Sequence, residues 1–203
     1  MIRVVAFDIG KVLLDFDYGI LVNRMVPMTN MDESGLNVFL NQSPLLAEYE
    51  SGKLTSSEFI KVVQRETGFE GLESEFTVFF EDIFTPITDV IEMHREIAES
   101  GMATYTFSNT NEMAVRYMSR AYGFWPRFTG HVLSYKVKAL KPEAKMYKFL
   151  EKISGCRGGE IAYVDDRSEN IEEARARGWK AIKQSTPNET RLALVELGVM
   201  VVS

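Results

Sequence analysis

The first fifteen residues constrain this chain more than any other stretch. Ile2 to Phe7 is a short apolar run, rich in β-branched side chains and broken only by Arg3, and Asp8 follows it at once. Such a run reads as a strand buried on both faces of a parallel sheet. Ligands of open α/β sheets bind outside the carboxyl ends of the strands. Asp8 is therefore expected to project into a site, with Gly10 letting the backbone turn closely around whatever Asp8 holds. On this segment alone, a plain turn-capping role for Asp8 stays open.

The stretch from Ile20 to about Phe84 has helical patterns and no convincing strand. Leu36, Phe39 and Leu40 mark one helix, and Ser43-Pro44 opens another. Thr55 and Glu58 form a capping box ahead of Phe59, Val62 and Val63, and Gly68 stops that helix. Phe76, Phe79, Phe80 and Ile83 mark a fourth. From Pro86 onward, strand and helix alternate. Strands are expected at Ala103–Phe107, His131–Ser134, Ile161–Val164 and Lys180–Lys183. Helices are expected between them, one opened by Lys141-Pro142, one capped by Ser168 and a last one begun by Pro187. Repeated βα units imply a doubly wound parallel sheet with an inserted helical bundle. Core segments are expected at 1–15 and 86–203, and a helical cap at 16–85.

Composition removes several function classes. A net charge of −6 disfavours a nucleic-acid-binding face. The single cysteine, Cys156, allows no internal disulfide and fits a reducing, cytoplasmic compartment. No signal peptide is expected, and no apolar run approaches the ~20 residues that span a membrane. A monomer or homodimer is expected.

Four strand ends carry polar residues: Asp8, Ser108-Asn109, Lys141 just beyond the third, and Asp165-Asp166. Parallel strands bring these to one sheet edge. Asp8 and Asp166 would form a hard-oxygen site suited to Mg²⁺, and Ser108, backbone N–H groups and Lys141 a phosphate site. Other tempting residues read more simply. His94 lies on an apolar helical stripe, His131 has no metal partner in sequence, and Tyr49 suits core packing. Glu172, Glu173, Arg175 and Arg177 suit a solvated helix face.

These residues, in the stretches FDIGKVLLDFD (Phe7–Asp17), TFSNTN (Thr106–Asn111), LKPEAKMY (Leu140–Tyr147) and YVDDRSENIEEARARG (Tyr163–Gly178), resemble the four motifs of the haloacid dehalogenase superfamily. YESGKLTSSEF (Tyr49–Phe59) resembles its inserted helical cap. The branch that includes bacterial α-glucose-1-phosphate phosphatase and the epoxide-hydrolase N-terminal phosphatase domain is the most similar. The resemblance implies a Rossmann-like core and a Mg²⁺-dependent phosphatase of small phosphorylated metabolites, sugar phosphates in particular. It implies that Asp8 is the nucleophile, forming an aspartyl phosphate. Asp8, the Gly10 carbonyl and Asp166 would hold Mg²⁺, with Asp165 supporting the metal's water or Lys141. Ser108, the Asn109 amide and Lys141 would clamp the phosphoryl oxygens. Two other readings stand beside it: a metal-free carbon–halogen hydrolase, and a non-catalytic phospho-ligand or partner-binding module.

One departure matters. The superfamily's phosphatases usually carry a second Asp, two residues after the nucleophile, as general acid/base; here that residue is Gly10. A general acid is worth roughly 10²–10⁴-fold. Its absence predicts a rate that depends steeply on leaving-group acidity, unless water, Asp15, Asp17, Glu48 or Glu50 donates the proton.

Overall fold

A computed structural model of the protein describes residues 1–201. The elements run β1 (Val4–Phe7), β2 (Leu14–Phe16), α1 (Tyr18–Met25), α2 (Glu33–Gln42), α3 (Pro44–Glu50), α4 (Ser56–Thr67), α5 (Glu73–Glu81) and β3 (Phe84–Pro86). They continue with α6 (Thr88–Glu99), β4 (Ala103–Ser108), α7 (Glu112–Ala121), β5 (Gly130–Leu133), α8 (Ser134–Val137) and α9 (Ala144–Ser154). The last are β6 (Ile161–Asp165), α10 (Ser168–Ala176), β7 (Lys180–Lys183) and α11 (Pro187–Glu196).

The main sheet is five-stranded and parallel, in the order β5-β4-β1-β6-β7. The first strand thus sits at the centre, which is why its sequence is apolar on both faces. Val5 and Phe7 pack with Val90, Met93 and Ile97 of α6 and Met113 and Met118 of α7. Val4 and Ala6 pack on the other side with Met146, Tyr147 and Leu150 of α9 and Ile171 of α10. Each buried Val or Leu contributes about 1.5–3 kcal/mol, so the two faces together fix the register of the strand that carries Asp8.

Helices α1–α5 lie between the two strands of a small antiparallel ribbon, in which Leu14 pairs with Pro86 and Phe16 with Phe84. No strand was expected there. Three residues are too few to show alternation, and Pro86 ends the ribbon where a ladder donor is not needed. Within this insert, α4 has its capping box, with Gly68 left-handed at φ 69 just beyond it. Tyr49 stacks on Phe59 at 4.5 Å, and Phe76 and Phe80 are fully buried.

Three local expectations need correction. Pro142 does not open a helix: it follows a cis peptide bond and α9 starts at Ala144. Ser168 is the first residue of α10, not its cap, and its hydroxyl accepts from Lys183 Nζ at 2.7 Å. Ser134 belongs to α8, which begins where β5 ends. No helix among the described residues is long and apolar enough to cross a membrane.

Candidate active site

Parallel register places the chemistry on one level. Phe7 pairs with Thr106 on one side and Val164 on the other, so Asp8, Ser108 and Asp165 emerge together at the carboxyl edge. The Asp8 N–H continues the ladder to Val164 O at 2.9 Å, and its Oδ1 accepts from Ile9 N–H at 2.7 Å.

Lys141 reaches into this edge from the loop between α8 and α9. Its side chain is fully buried, with Nζ 2.6 Å from Asp165 Oδ2 and 3.1 Å from Asp8 Oδ1. The ammonium also donates to Phe107 O at 2.8 Å and lies 3.1 Å from the Tyr163 hydroxyl. The loop is held by Asn109, whose Oδ1 accepts from Lys141 N–H at 2.7 Å and whose Nδ2 donates to Lys141 O at 3.1 Å. Burial works against the ammonium, but the charges of Asp8 and Asp165 overcome it and raise its pKa. Burial likewise opposes the Asp165 carboxylate, and Lys141 outweighs that and lowers its pKa. For Asp8 the balance tips the other way: burial, with Asp165 adding repulsion, pushes it up to about 7 against the pull of Lys141.

The two consecutive aspartates have separate surroundings. Asp165 is turned inward, accepting from Lys141, the Tyr163 hydroxyl, Arg167 N–H at 2.8 Å and Asn170 Nδ2 at 3.0 and 3.1 Å. Asp166 is half-buried and lines the cavity, and burial raises its pKa. Carboxylate oxygens of Asp8, Asp165 and Asp166 all lie within 4.8 Å of one another. Three carboxylates against one buried lysine leave negative charge uncompensated, and an all-oxygen donor set suits Mg²⁺. Asn170 gives a second indication. A carboxylate only accepts, so the Asn170 amino group must face Asp165, and this leaves its buried Oδ1 without a partner at the cavity wall. That is where a water on a cation could donate. The residues fit the metal expected.

The cavity has a volume of about 180 Å³. Its floor is Asp8, Ser108, Asn109, Lys141 and Asp166. Its outer wall is Leu14, Phe16, Tyr18, Phe80, Phe84 and Met118, with Glu50 the acidic side chain contributed by α1–α5. Of the four carboxylates expected to stand in for an acid at Gly10, three point elsewhere. Asp15 is exposed and paired with Lys11, Asp17 caps α1 through Gly19 N–H, and Glu48 is exposed and outside the cavity. Glu50 is half-buried; burial pushes its carboxyl up to about 7, helped by Asp8 and opposed by Arg167 and Lys141.

A Cβ on Gly10 would lie 2.9 Å from Phe16 Cε1. The ring of Phe16 thus fills the space beside the missing side chain. Gly10→Asp is expected to destabilise the protein by about 1–3 kcal/mol by overpacking. Adding Phe16→Ala should relieve that cost, as thermal unfolding of the single and double variants would show.

Asn170, Arg167, Thr110 and the aromatic wall were not picked out from the sequence. Asn170 could have been, since it lies one helical turn beyond Asp166; the aromatic wall comes from distant segments and leaves no local signal. His94 packs against Phe128 at 3.8 Å and His131 against Trp125 at 4.3 Å, both away from the site. Tyr49 is buried outside the cavity.

No protein-family model matches the chain. The chain is 25% identical over 209 residues to a D-ribitol-5-phosphate phosphatase of Bacteroides thetaiotaomicron, covering 96% of this chain and 97% of that one. It is 24% identical over 194 residues to a sesquiterpene phosphatase of Aspergillus oryzae, covering 94% of each. Among solved structures, it superposes with a TM-score of 0.81 and 18% identity on a HAD-family enzyme from Bacteroides thetaiotaomicron in complex with magnesium and inorganic phosphate. That match covers 91% of this chain and 95% of that one.

Proposed function

We propose, from this chain's place among the hydrolases of the haloacid dehalogenase family, that it is a Mg²⁺-dependent phosphatase of small organic phosphates working through an aspartyl phosphate. The observation that supports this most is one buried lysine set between Asp8 and Asp165, with Asp166 beside them, in one cavity at the carboxyl edge of the sheet.

In this reading, a carboxylate oxygen of Asp8 attacks phosphorus and the alcohol departs; water then cleaves the aspartyl phosphate and releases phosphate. Lys141 and Ser108 hold the phosphoryl oxygens. The Asn109 side chain is already committed to the Lys141 backbone, so its backbone N–H is the group left for phosphate. Asp165 acts through Lys141, fixing the ammonium rather than touching substrate. Asp8, the Gly10 carbonyl and Asp166 would hold Mg²⁺, which would supply the positive charge that lets a phosphate dianion meet a carboxylate. Helices α1–α5 act as a lid whose Phe80 and Tyr18 help exclude water.

Sugar phosphates, expected from the sequence, are the first substrates to test. The aromatic wall favours extending the screen to phosphates of apolar alcohols, and the two curated relatives span both classes. The screen should release phosphate only with Mg²⁺ present. EDTA should abolish turnover and added Mg²⁺ restore it. Halide release from 2-haloacids that survives EDTA would favour the dehalogenase reading instead.

A further inference from the structure

We infer that Glu50, carried by the helical insert rather than by the catalytic core, is the general acid/base that replaces the residue missing at Gly10. The inference rests on the phosphatase reading above and adds the proton donor to it.

Geometry selects Glu50. It lines the same cavity as Asp8, Ser108, Lys141 and Asp166, close enough to feel the charges of Asp8, Lys141 and Arg167. It is not one of the three carboxylates, Asp8, Asp165 and Asp166, that cluster together. No hydrogen bond or ion pair to its carboxyl is present among the described residues, so it is not committed to holding structure. Asp15 and Asp17 are committed, to Lys11 and to the start of α1.

The backbone at Glu50 is anchored to the core. The Ser134 hydroxyl donates to Glu50 O at 2.6 Å, and it also accepts from Thr110 N–H at 2.9 Å. Thr110 follows Ser108 and Asn109 directly, so the backbone that carries Glu50 is tied to the segment that forms the phosphate floor. Lys138 Nζ bonds Gly52 O two residues further on. Although it belongs to the insert, Glu50 sits where the insert's backbone is bonded to the core. Glu50 is the last residue of α3, at that helix's negative end, which favours the protonated carboxyl. The charged or titratable groups facing it are Asp8, Arg167, Lys141 and the Tyr18 hydroxyl.

The step balances. As Asp8 forms its bond to phosphorus and the bridging P–O bond breaks, the Glu50 proton passes to the bridging oxygen, and the alcohol leaves neutral. The Glu50 carboxylate then takes a proton from the water that attacks the aspartyl phosphate, which restores the acid.

The test compares single-turnover rates on two esters, para-nitrophenyl phosphate and n-butyl phosphate, for wild type and Glu50→Gln. The nitrophenolate leaves without help, whereas butoxide needs a proton. Glu50→Gln should lose about 10²–10⁴-fold on the butyl ester and only a few-fold on the aryl ester, whose retained rate also reports an intact fold. In Glu50→Ala, added formate should restore the butyl rate and leave the aryl rate unchanged. Equal losses on both esters, or no loss on either, would overturn the role of Glu50 while leaving the phosphatase reading intact. A wild-type protein that cleaves neither ester, nor any phosphate in the metabolite screen, overturns both.

Discussion

Asp8→Asn is expected to lose turnover by about 10⁴-fold or more while melting no lower than the wild type at about pH 8. The two halves of this result have one cause. Asp8 is 7% exposed and stands beside Asp165, and its carboxyl is pushed up to about 7. A carboxyl whose folded pKa lies above its unfolded one adds stability at low pH and loses that contribution as pH rises through the folded value. Above about pH 7 the ionised Asp8 is thus a burden on the folded state. Asparagine has the same shape, can accept from Ile9 N–H, and carries no charge. Lys141 keeps its partner Asp165 at 2.6 Å. The chemistry has no such substitute, because an amide neither attacks phosphorus usefully nor keeps a negative charge for the cation. Acid quenching with labelled phosphate should trap a covalent adduct in the wild type and none in the variant. Thermal unfolding should show an equal or higher midpoint for the variant. A variant that turns over at near wild-type rate would remove the covalent pathway.

Much of this arrangement was legible in the chain because it depends on local order. A strand buried on both faces is mostly apolar, so an acid that ends it is easy to see; Asp8 and Asp165 are found that way, whereas the strand ending in Ser108 also carries the buried Thr104 and Thr106. Parallel register then does the assembly, with Val4 level with both Ala103 and Ile161. The separate orientations of Asp165 and Asp166 were not legible. Adjacent residues point to opposite sides at a strand's end, but which one turns inward depends on Lys141 and Asn170, and these arrive from other elements. The β2–β3 ribbon was missed because Leu14–Phe16 and Phe84–Pro86 are each three residues long and far apart in the chain, Leu14 pairing with Pro86 and Phe16 with Phe84. The role of Phe16, whose ring fills the space beside Gly10, was hidden for another reason: it depends on the turn between them, which the ribbon sets. Choosing Glu50 from four carboxylates also needed coordinates, since it turns on Ser134 tying the end of α3 to the core.

Lys141→Met should damage the fold as well as the reaction, and its pH dependence should identify the cause. The lysine side chain is wholly buried and its ammonium is shared by two carboxylates, the Phe107 carbonyl and the Tyr163 hydroxyl. Methionine matches the stem in volume and packs against Phe107 and Tyr163, so little cavity is created. What is lost is the charge. Removing one partner of a buried pair costs about 3–5 kcal/mol, because the other partner is left uncompensated. In the wild type the pKa of Asp165 is lowered, so its contribution is present above its unfolded pKa and is lost as pH falls through the folded value. Without Lys141, burial is the largest influence on both Asp165 and Asp8, and both should bind protons more tightly in the folded state than in the unfolded one. The variant should then gain stability as the solution is acidified from about pH 8 to about pH 5, since protonation removes the stranded charges. Urea denaturation at those two pH values, for wild type and variant, measures this directly. The gap between the two proteins should be wide at the higher pH and narrow at the lower. A gap of the same size at both would mean that Lys141 stabilises the site by packing and hydrogen bonding, and that its charge matters only to the phosphoryl group.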